Sequence, residues 1–195
     1  MDTSGHTPAL PGTSVFLIGP MGSGKTAVGR LVARQLRYRF VDSDAEIESR
    51  TGVDIPFIFE KEGEAGFRLR ERDVIADLTQ WPRTVVSTGG GAVLLEDNRE
   101  ALRSRGLVVY LYASVEQQVD RTRHGRHRPL LHDVDPRQRL AELMAFREPL
   151  YRGTAHAVVA TDGRRVQTVA DEVLAALAPL GVGAPAAPVE ATPER

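Results

Sequence analysis

Residues 19–26, GPMGSGKT, fit the pattern GxxxxGK[ST] and lie between a strand-like run and a helical one. The apolar run VFLI at 15–18 comes directly before the pattern, and a helical segment at 27–37 follows it. In this setting the glycines let backbone N–H groups turn toward phosphate oxygens, and the start of the helix adds partial positive charge. The sequence therefore predicts a phosphate-binding loop between the first strand and the first helix.

The residues of this loop have distinct expected roles in binding a nucleoside triphosphate. Lys25 is expected to reach the β- and γ-phosphates, and the Thr26 hydroxyl to be a ligand of Mg²⁺. The remaining phosphate contacts are expected from Gly22, Ser23, Gly24 and Ala27. A Gly-rich turn that only links a strand to a helix is the alternative, and the full match in its strand and helix setting disfavours it.

Length, charge and cysteine content narrow the class of protein. A chain of 195 residues with 42% hydrophobic residues predicts one domain with one well-buried core. The net charge of −1 provides no basic surface for nucleic acid or for an anionic membrane, so we expect neither as a partner. Cysteine is absent, which excludes disulfides and thiolate metal sites and suits a reducing cytoplasm. We expect a soluble intracellular protein, since no secretory signal or membrane span is recognisable.

Short β-branched or aromatic runs alternate with helical patterns along the chain. The predicted strands lie at 15–18, 40–41, 84–86, 108–111 and 157–159. This alternation predicts an α/β fold in which helices cover both faces of a parallel sheet. The domain is expected over 13–178, between a disordered tail at 1–12 and a disordered Ala/Pro-rich tail at 179–195.

Two acidic residues follow the second predicted strand, in the sequence VDSD at 41–44. In open α/β sheets ligands bind outside the carboxyl ends of the strands, so these acids are expected to face the phosphate-binding loop. Asp42 is a candidate for the Mg²⁺ shell, and Asp44 for accepting a proton from an attacking hydroxyl. Capping of the next helix by Ser43 or Asp44 is the alternative.

Charged side chains also fall on the apolar stripes of two predicted helices. In 64–80, Glu71 is in phase with the apolar residues, and Arg68 is close enough in sequence to pair with it. Arg147 is likewise in phase with the apolar residues of a predicted helix at 136–152. Two inward arginines beside Asp44 would suit a small polyhydroxy carboxylate, and structural ion pairs are the alternative.

Two further segments, one glycine-rich and one basic, are predicted loops that could bind a ligand. The sequence STGGG at 87–91 follows the third predicted strand, and the N–H groups of its glycines can bind hydroxyls or oxyanions. A plain flexible turn is the alternative for the glycines. The basic segment RHGRHRP at 123–129 lies between two predicted helices and predicts a mobile loop.

Together these segments resemble the shikimate kinases, a family of small P-loop kinases related to the nucleoside monophosphate kinases. The similar segments occur in family order over about four fifths of the chain: GPMGSGKTAVGR, VDSDAEIESRTG, IFEKEGEAGFRLRE, STGGGA, RHRPLL and FREPLYR. The resemblance implies a three-layer α/β/α fold with a five-stranded parallel sheet of order 2-3-1-4-5. It also implies a substrate-binding region at about 43–72 and a lid at about 123–135.

The resemblance assigns roles residue by residue. The implied catalytic residues are Lys25, Asp44, which accepts the proton of the 3-hydroxyl of shikimate, and Arg128 of the lid. The implied shikimate-binding residues are Asp44, Arg68, Glu71, Gly89, Gly90, Gly91 and Arg147. Arg121 is implied to pack near adenine, Arg128 to contact ATP, and Asp42 and Ser87 to lie around the metal ion with Thr26.

The implied activity is the phosphorylation of shikimate by ATP with Mg²⁺, a step of chorismate and aromatic amino acid biosynthesis, by a cytoplasmic monomer. Two alternatives remain open. One is a kinase for gluconate or another small hydroxy acid, and the other is a non-catalytic nucleotide-binding regulator on the same fold. The sequence departs from the family near the expected adenine site, where it has Ala160 and where Val166 occupies the position of a proline.

Overall fold

The computed structural model describes residues 12–123 and 135–182. In these ranges five strands alternate with seven α-helices. The strands are β1 (Ser14–Ile18), β2 (Arg39–Asp42), β3 (Thr84–Ser87), β4 (Gly106–Tyr112) and β5 (Ala157–Ala160). The helices are α1 (Lys25–Leu36), α2 (Ser43–Thr51), α3 (Ile55–Leu78), α4 (Glu96–Arg105), α5 (Val115–Thr122), α6 (Pro136–Thr154) and α7 (Val166–Leu177).

All five strands are parallel, and their order in the sheet is β2-β3-β1-β4-β5. The predicted fold class and strand order are therefore confirmed. Parallel pairing brings the carboxyl ends of all the strands to one edge of the sheet. At that edge Asp42 of β2 pairs in register with Ser87 of β3.

Helices cover both faces of the sheet and give three layers. Along β1, Phe16 and Ile18 belong to the core on one face, and Val15 and Leu17 belong to the core on the other. This alternation follows from the two-residue period of a strand, and it makes β1 fully buried because both faces are covered. The first face is packed by α2, α3, α4 and α6, and the second by α1 and α7.

Helix α3 is interrupted at Gly63, where φ is 69° and ψ is −177°. A side chain is strongly disfavoured at these angles, so the glycine permits a sharp kink. The predicted helix at 64–80 corresponds to the second half of α3. This half carries Arg68 and Glu71 on its buried side.

The packed chain extends past the predicted end of the domain at residue 178. A short 3-10 helix spans Ala178–Leu180, and Val182 is buried against the core beside α7. The predicted tail boundary is therefore too early, because Val182 is an apolar residue that the low-complexity pattern around it obscured. Residues 1–11, the rest of the Ala/Pro-rich tail, and positions 124–134 of the predicted lid with Arg128 lie outside the described residues. No described helix has both the length and the apolar character that crossing a membrane requires.

Candidate active site

A cavity of about 810 Å³ opens at the carboxyl ends of the strands. It joins the phosphate-binding loop to the acidic segment at 41–44, to the glycine segment at 87–91, and to Arg68 and Arg147. The predicted site residues that line it are Gly22, Gly24, Lys25, Thr26, Ala27, Asp42, Asp44, Arg68, Glu71, Ser87, Gly89, Gly90, Gly91 and Arg147. The structure thus brings most of the predicted residues into one space, including residues more than a hundred positions apart in the chain.

The phosphate-binding loop curls around the ammonium group of Lys25. The Nζ atom donates to the carbonyl oxygens of Gly19 and Pro20, both at 2.8 Å. The buried hydroxyl of Ser23 donates to the Pro20 carbonyl oxygen at 2.9 Å, so it stabilises the turn. Gly24 precedes α1 with φ of 87°, a conformation that favours glycine. The loop is therefore built before any ligand arrives, with a cation at its centre.

Three side-chain oxygens lie close together beside the phosphate-binding loop, one each from α1, β2 and β3. The hydroxyl of Thr26 donates to Asp42 Oδ2 at 2.8 Å, and it lies 3.4 Å from the hydroxyl of Ser87. The described residues contain no cluster of three or more His, Cys, Asp or Glu side chains suited to a metal. A hydroxyl and one carboxylate fit Mg²⁺, which keeps several waters and takes further oxygens from a nucleotide.

Asp42 is also the cap of α2. Its Oδ1 atom accepts a hydrogen bond from the backbone N–H of Asp44 at 3.1 Å. The capping role that the sequence suggested for Ser43 or Asp44 is therefore wrong, because α2 begins at Ser43, two residues before the predicted start at Ala45. Asp44 lies in the first turn of α2, and its side chain is left for the cavity.

The carboxyl group of Asp44 is in an environment that disfavours its charge. Its Oδ1 atom is buried and receives no hydrogen bond from any residue that the structure describes. Burial is the main cause that raises the pKa of Asp44 to about 7, and the nearby carboxylates of Glu71 and Asp42 add to the rise. Lys25 and Arg68 oppose it. At neutral pH this carboxyl group can therefore both lose and accept a proton.

Arg68 is held by two carboxylates on its own helix. Its Nη1 atom lies 2.6 Å from Glu71 Oε2, and its Nη2 atom lies 2.8 Å from Glu64 Oε1. The Glu71 side chain is fully buried, whereas that of Glu64 is 47% exposed. Burial raises the pKa of Glu71, and Arg68 opposes this rise. The predicted pairing of Arg68 with Glu71 is thus present in the structure.

The outer two of the three glycines contact these charged groups closely. A Cβ atom on Gly89 would lie 2.6 Å from Asp44 Oδ1 and 2.7 Å from Glu71 Oε1. A Cβ atom on Gly91 would overlap the guanidinium of Arg68. The absence of side chains therefore lets two carboxylates and a guanidinium approach the backbone.

The other inward arginine, Arg147 on α6, has a different environment. It is buried, and its Nη1 atom donates to the carbonyl oxygen of Gly90 at 3.3 Å. Within residues 12–123 and 135–182, its Nε atom has no hydrogen-bond partner. None of the ion pairs between described residues includes Arg147. The structural ion pair that the sequence left open for this residue is not observed there.

Arg121 lies beside the cavity and does not line it. Its guanidinium donates to the carbonyl oxygens of Gly22 and Thr161 at 3.0 and 2.9 Å, and to the Thr161 hydroxyl at 3.1 Å. It therefore connects the phosphate-binding loop to the segment after β5, near the expected adenine position. Its contact with adenine stays a prediction, as does the role of Arg128, which lies outside the described residues.

Two residues that the sequence reasoning did not select hold the glycine segment. The fully buried hydroxyl of Ser43 accepts from the backbone N–H of Gly89 at 3.0 Å. The hydroxyl of Tyr151 donates to the carbonyl oxygen of Gly90 at 2.5 Å. Tyr151 is one helical turn after Arg147 on the same buried stripe, and this spacing was the signal that could have identified it.

Comparisons with known proteins agree with this geometry. A family model described as shikimate kinase matches residues 21–178. The shikimate kinase of Pseudomonas syringae pv. tomato is 55% identical over 167 residues, covering 86% of this chain and 97% of that one. The shikimate kinase of Methylococcus capsulatus is 60% identical over 148 residues, covering 76% and 83% of the two chains.

A solved structure of shikimate kinase from Acinetobacter baumannii in complex with shikimate is similar in fold and in sequence. It superposes with a TM-score of 0.84 and 47% identity, covering 86% of this chain and 93% of that one. The family match spans most of the chain, and the relatives align over most of their own lengths. The chain therefore belongs to the shikimate kinase family.

Proposed function

We propose that this chain transfers the γ-phosphoryl group of ATP to the 3-hydroxyl of shikimate, giving shikimate 3-phosphate and ADP. The observation that carries the proposal is the single cavity in which Lys25, Asp44 and Arg147 meet. A phosphate-binding cation, a carboxyl group with a pKa near neutrality and a buried guanidinium without an ion-pair partner among the described residues are what a kinase for a hydroxy acid requires. Membership of the family supports shikimate as the acceptor.

At the donor end, the ammonium group of Lys25 would contact the transferring phosphate. It now donates to the carbonyl oxygens of Gly19 and Pro20. Phosphate oxygens carry more negative charge than these carbonyls and would be the better acceptors. The backbone N–H groups at the start of α1 would bind the other phosphate oxygens. This arrangement stabilises charge on the phosphoryl group as it is transferred.

Thr26 and Asp42 are the residues that would hold Mg²⁺, with Ser87 beside them. Their oxygens lie together at the edge of the sheet and adjoin the phosphate-binding loop. When bound, the ion would offset the negative charge of the β- and γ-phosphates.

At the acceptor end, Arg147 would bind the carboxylate of shikimate through two parallel hydrogen bonds. Its Nε atom has no hydrogen-bond partner among the described residues, and moving its Nη1 atom from the Gly90 carbonyl oxygen costs one long hydrogen bond. Arg68, fixed by Glu71, would offer its guanidinium edge from the opposite wall. These contacts would orient the 3-hydroxyl toward the phosphate-binding loop.

The transfer needs one proton acceptor. The 3-hydroxyl oxygen forms a bond to the γ-phosphorus, the bond from that phosphorus to the bridging oxygen of ADP breaks, and the hydroxyl proton passes to Asp44. The raised pKa of Asp44 makes it a stronger base than an ordinary aspartate while leaving it largely ionised at slightly alkaline pH. The rest of the rate enhancement would come from orientation and charge stabilisation.

The experiment that tests the proposal is a coupled assay of ADP release with shikimate, quinate and gluconate as acceptors. We expect release that depends on shikimate and Mg²⁺ and is much slower with the other two acids. Faster turnover of gluconate would favour a sugar-acid kinase. ATP binding without ADP release for any acceptor would favour a nucleotide-binding regulator.

We also propose that the enzyme acts as a monomer in the cytoplasm without nucleic acid or membrane partners. The net charge of −1 and the absence of cysteine fit this setting. Light scattering of the purified full chain tests the monomer, and a molar mass twice that of the chain would contradict it.

A further inference from the structure

Two buried tyrosines stack against each other behind the glycine segment. Tyr110 on β4 and Tyr151 on α6 have ring centroids 5.0 Å apart and an interplanar angle of 24°. Both side chains are fully buried, but their hydroxyls differ. The Tyr151 hydroxyl donates to the carbonyl oxygen of Gly90 at 2.5 Å, whereas the Tyr110 hydroxyl has no hydrogen-bond partner in the part of the chain that the structure describes.

The bond from Tyr151 fixes the orientation of a peptide group at the cavity wall. The peptide between Gly90 and Gly91 is trans, so its N–H points away from its carbonyl oxygen. With the carbonyl directed at α6, the N–H of Gly91 is directed to the opposite side, and both glycines line the cavity. A peptide between two glycines rotates easily unless an outside contact holds it.

Arg147 donates to the same carbonyl oxygen, at the longer distance of 3.3 Å. When Arg147 turns to the carboxylate of a ligand, this contact is lost, and Tyr151 is left to hold the Gly90 carbonyl. Burial raises the pKa of Tyr151 to about 12, so its hydroxyl remains a donor at any pH at which the enzyme works.

Resting on the function proposed above, we propose that Tyr151 is a positioning residue of the shikimate site. It holds the Gly90 carbonyl oxygen so that the N–H of Gly91 stays directed at the acceptor while Arg147 binds the acceptor carboxylate. We expect its main action on the acceptor, because the flanking glycines contact acceptor-end groups: a Cβ atom on Gly89 would meet Asp44 and Glu71, and one on Gly91 would overlap Arg68. Gly90 itself lies against the phosphate-binding loop, where its Cβ atom would be 3.4 Å from the backbone nitrogen of Met21, so the KM of ATP is measured beside that of shikimate.

The test compares Tyr151→Phe with Tyr110→Phe in the full chain. Each change removes one hydroxyl from the same stacked pair, and the Tyr151 hydroxyl contacts Gly90 and interacts with Arg147, whereas the Tyr110 hydroxyl contacts neither. For Tyr151→Phe we expect the dissociation constant and KM of shikimate to rise about three- to tenfold, with the KM of ATP within about twofold of the original. For Tyr110→Phe we expect no change in the dissociation constant of shikimate or in the KM of either substrate.

Calorimetric titration with shikimate alone measures the acceptor site without turnover. A chain that binds shikimate but releases no ADP would contradict the proposed function and would leave this comparison intact. Unchanged shikimate affinity in Tyr151→Phe would overturn the positioning role. Equal losses for shikimate and ATP, accompanied by a lower melting temperature, would also overturn it, because that pattern indicates general loosening of the fold.

Discussion

Helices α3 and α6 line the acceptor end of the cavity, and each carries one buried arginine in a different electrostatic environment. On α3, Arg68 is neutralised by the buried carboxylate of Glu71 and by the half-exposed carboxylate of Glu64. On α6, Arg147 is equally buried, and its described hydrogen bond is to a backbone carbonyl. The α3 wall is therefore balanced in charge, whereas the α6 wall is not: no carboxylate of the described residues lies within ion-pair distance of Arg147, and Glu71 acts on it only from farther away.

This difference supports the proposed roles of the two arginines, in which Arg68 is held in place by the protein and Arg147 binds the carboxylate of the ligand. A buried charge without a counter-ion destabilises a fold, so it is retained only where something else gives an advantage. Arg68 is oriented by its carboxylates before any ligand binds. In the proposed function Arg147 would gain a close counter-ion from the ligand, and this gain would add to the affinity for a carboxylate.

The largest expected effect comes from removing the buried carboxylate of the balanced wall. Glu71→Gln keeps the side-chain volume but leaves Arg68 buried with one exposed partner. We expect the free energy of unfolding to fall by about 3–5 kcal/mol in urea denaturation at neutral pH. A loss below about 1 kcal/mol would mean that the α3 pair contributes little to the fold, and the contrast between the two walls would fail.

Arg147→Ala is the corresponding change on the unbalanced wall. It should weaken shikimate binding by about 2–5 kcal/mol, because the ligand carboxylate loses its charged partner in a buried site. The unfolding free energy of the free protein should be equal to that of the original chain or higher, since an unpaired buried cation has been removed. Thermal melts with and without shikimate measure both quantities.

Arg68→Ala is the matched control for Arg147→Ala. It should lower both shikimate affinity and the stability of the protein without ligand, because it leaves the buried carboxylate of Glu71 without its ion-pair partner. A lowered melting temperature of free Arg147→Ala, with the shikimate-induced rise retained, would contradict the ligand-binding role of Arg147.

Asp44 adds a second unfavourable charge between the two walls. The pH dependence of the free energy of unfolding measures how much this charge destabilises the fold. Its pKa rises from 3.8 to about 7 on folding, so protonated Asp44 favours the folded state and ionised Asp44 opposes it. This favourable contribution is complete below pH 3.8 and is lost as the pH rises through about 7. Asp44→Asn should therefore be more stable than the original chain at pH 8, by at least about 1 kcal/mol.

The stability gain of Asp44→Asn should grow between pH 5 and pH 7 and then level off, while the variant loses phosphoryl transfer. Urea denaturation across this range measures the gain. A gain that is independent of pH would mean that the titration of Asp44 is not its source.

The sequence predicted the features that depend on local spacing. The strand, loop and helix around Lys25 are contiguous, and the helical phase of Glu71 and Arg147 depends on one helix each. The alternation of strands and helices was likewise enough for the fold class and, through the family resemblance, for the strand order.

The features that the sequence did not predict join distant elements by single hydrogen bonds. Ser43 meets Gly89 across 46 positions, and Tyr151 meets Gly90 across 61. For Tyr151 the one-turn spacing from Arg147 was the available local signal, but that spacing does not specify the hydrogen-bond partner of its hydroxyl. Tyr110 demonstrates the difficulty, because it is equally aromatic and buried, yet its hydroxyl has no hydrogen-bond partner among the described residues.

The smallest expected effect comes from Glu64, which separates the influence of solvent exposure from that of ion pairing, because Glu64 and Glu71 pair with the same arginine on α3. Glu64 binds the same guanidinium as Glu71 at a similar distance, but its side chain is 47% exposed. Water already solvates such a carboxylate, so the pair gains little over its separated charges. Glu64→Gln should lower the free energy of unfolding by about 0.2–1 kcal/mol in the same urea experiment. A loss as large as that of Glu71→Gln would show that Arg68 needs both carboxylates, and burial alone would no longer explain the stability of this wall.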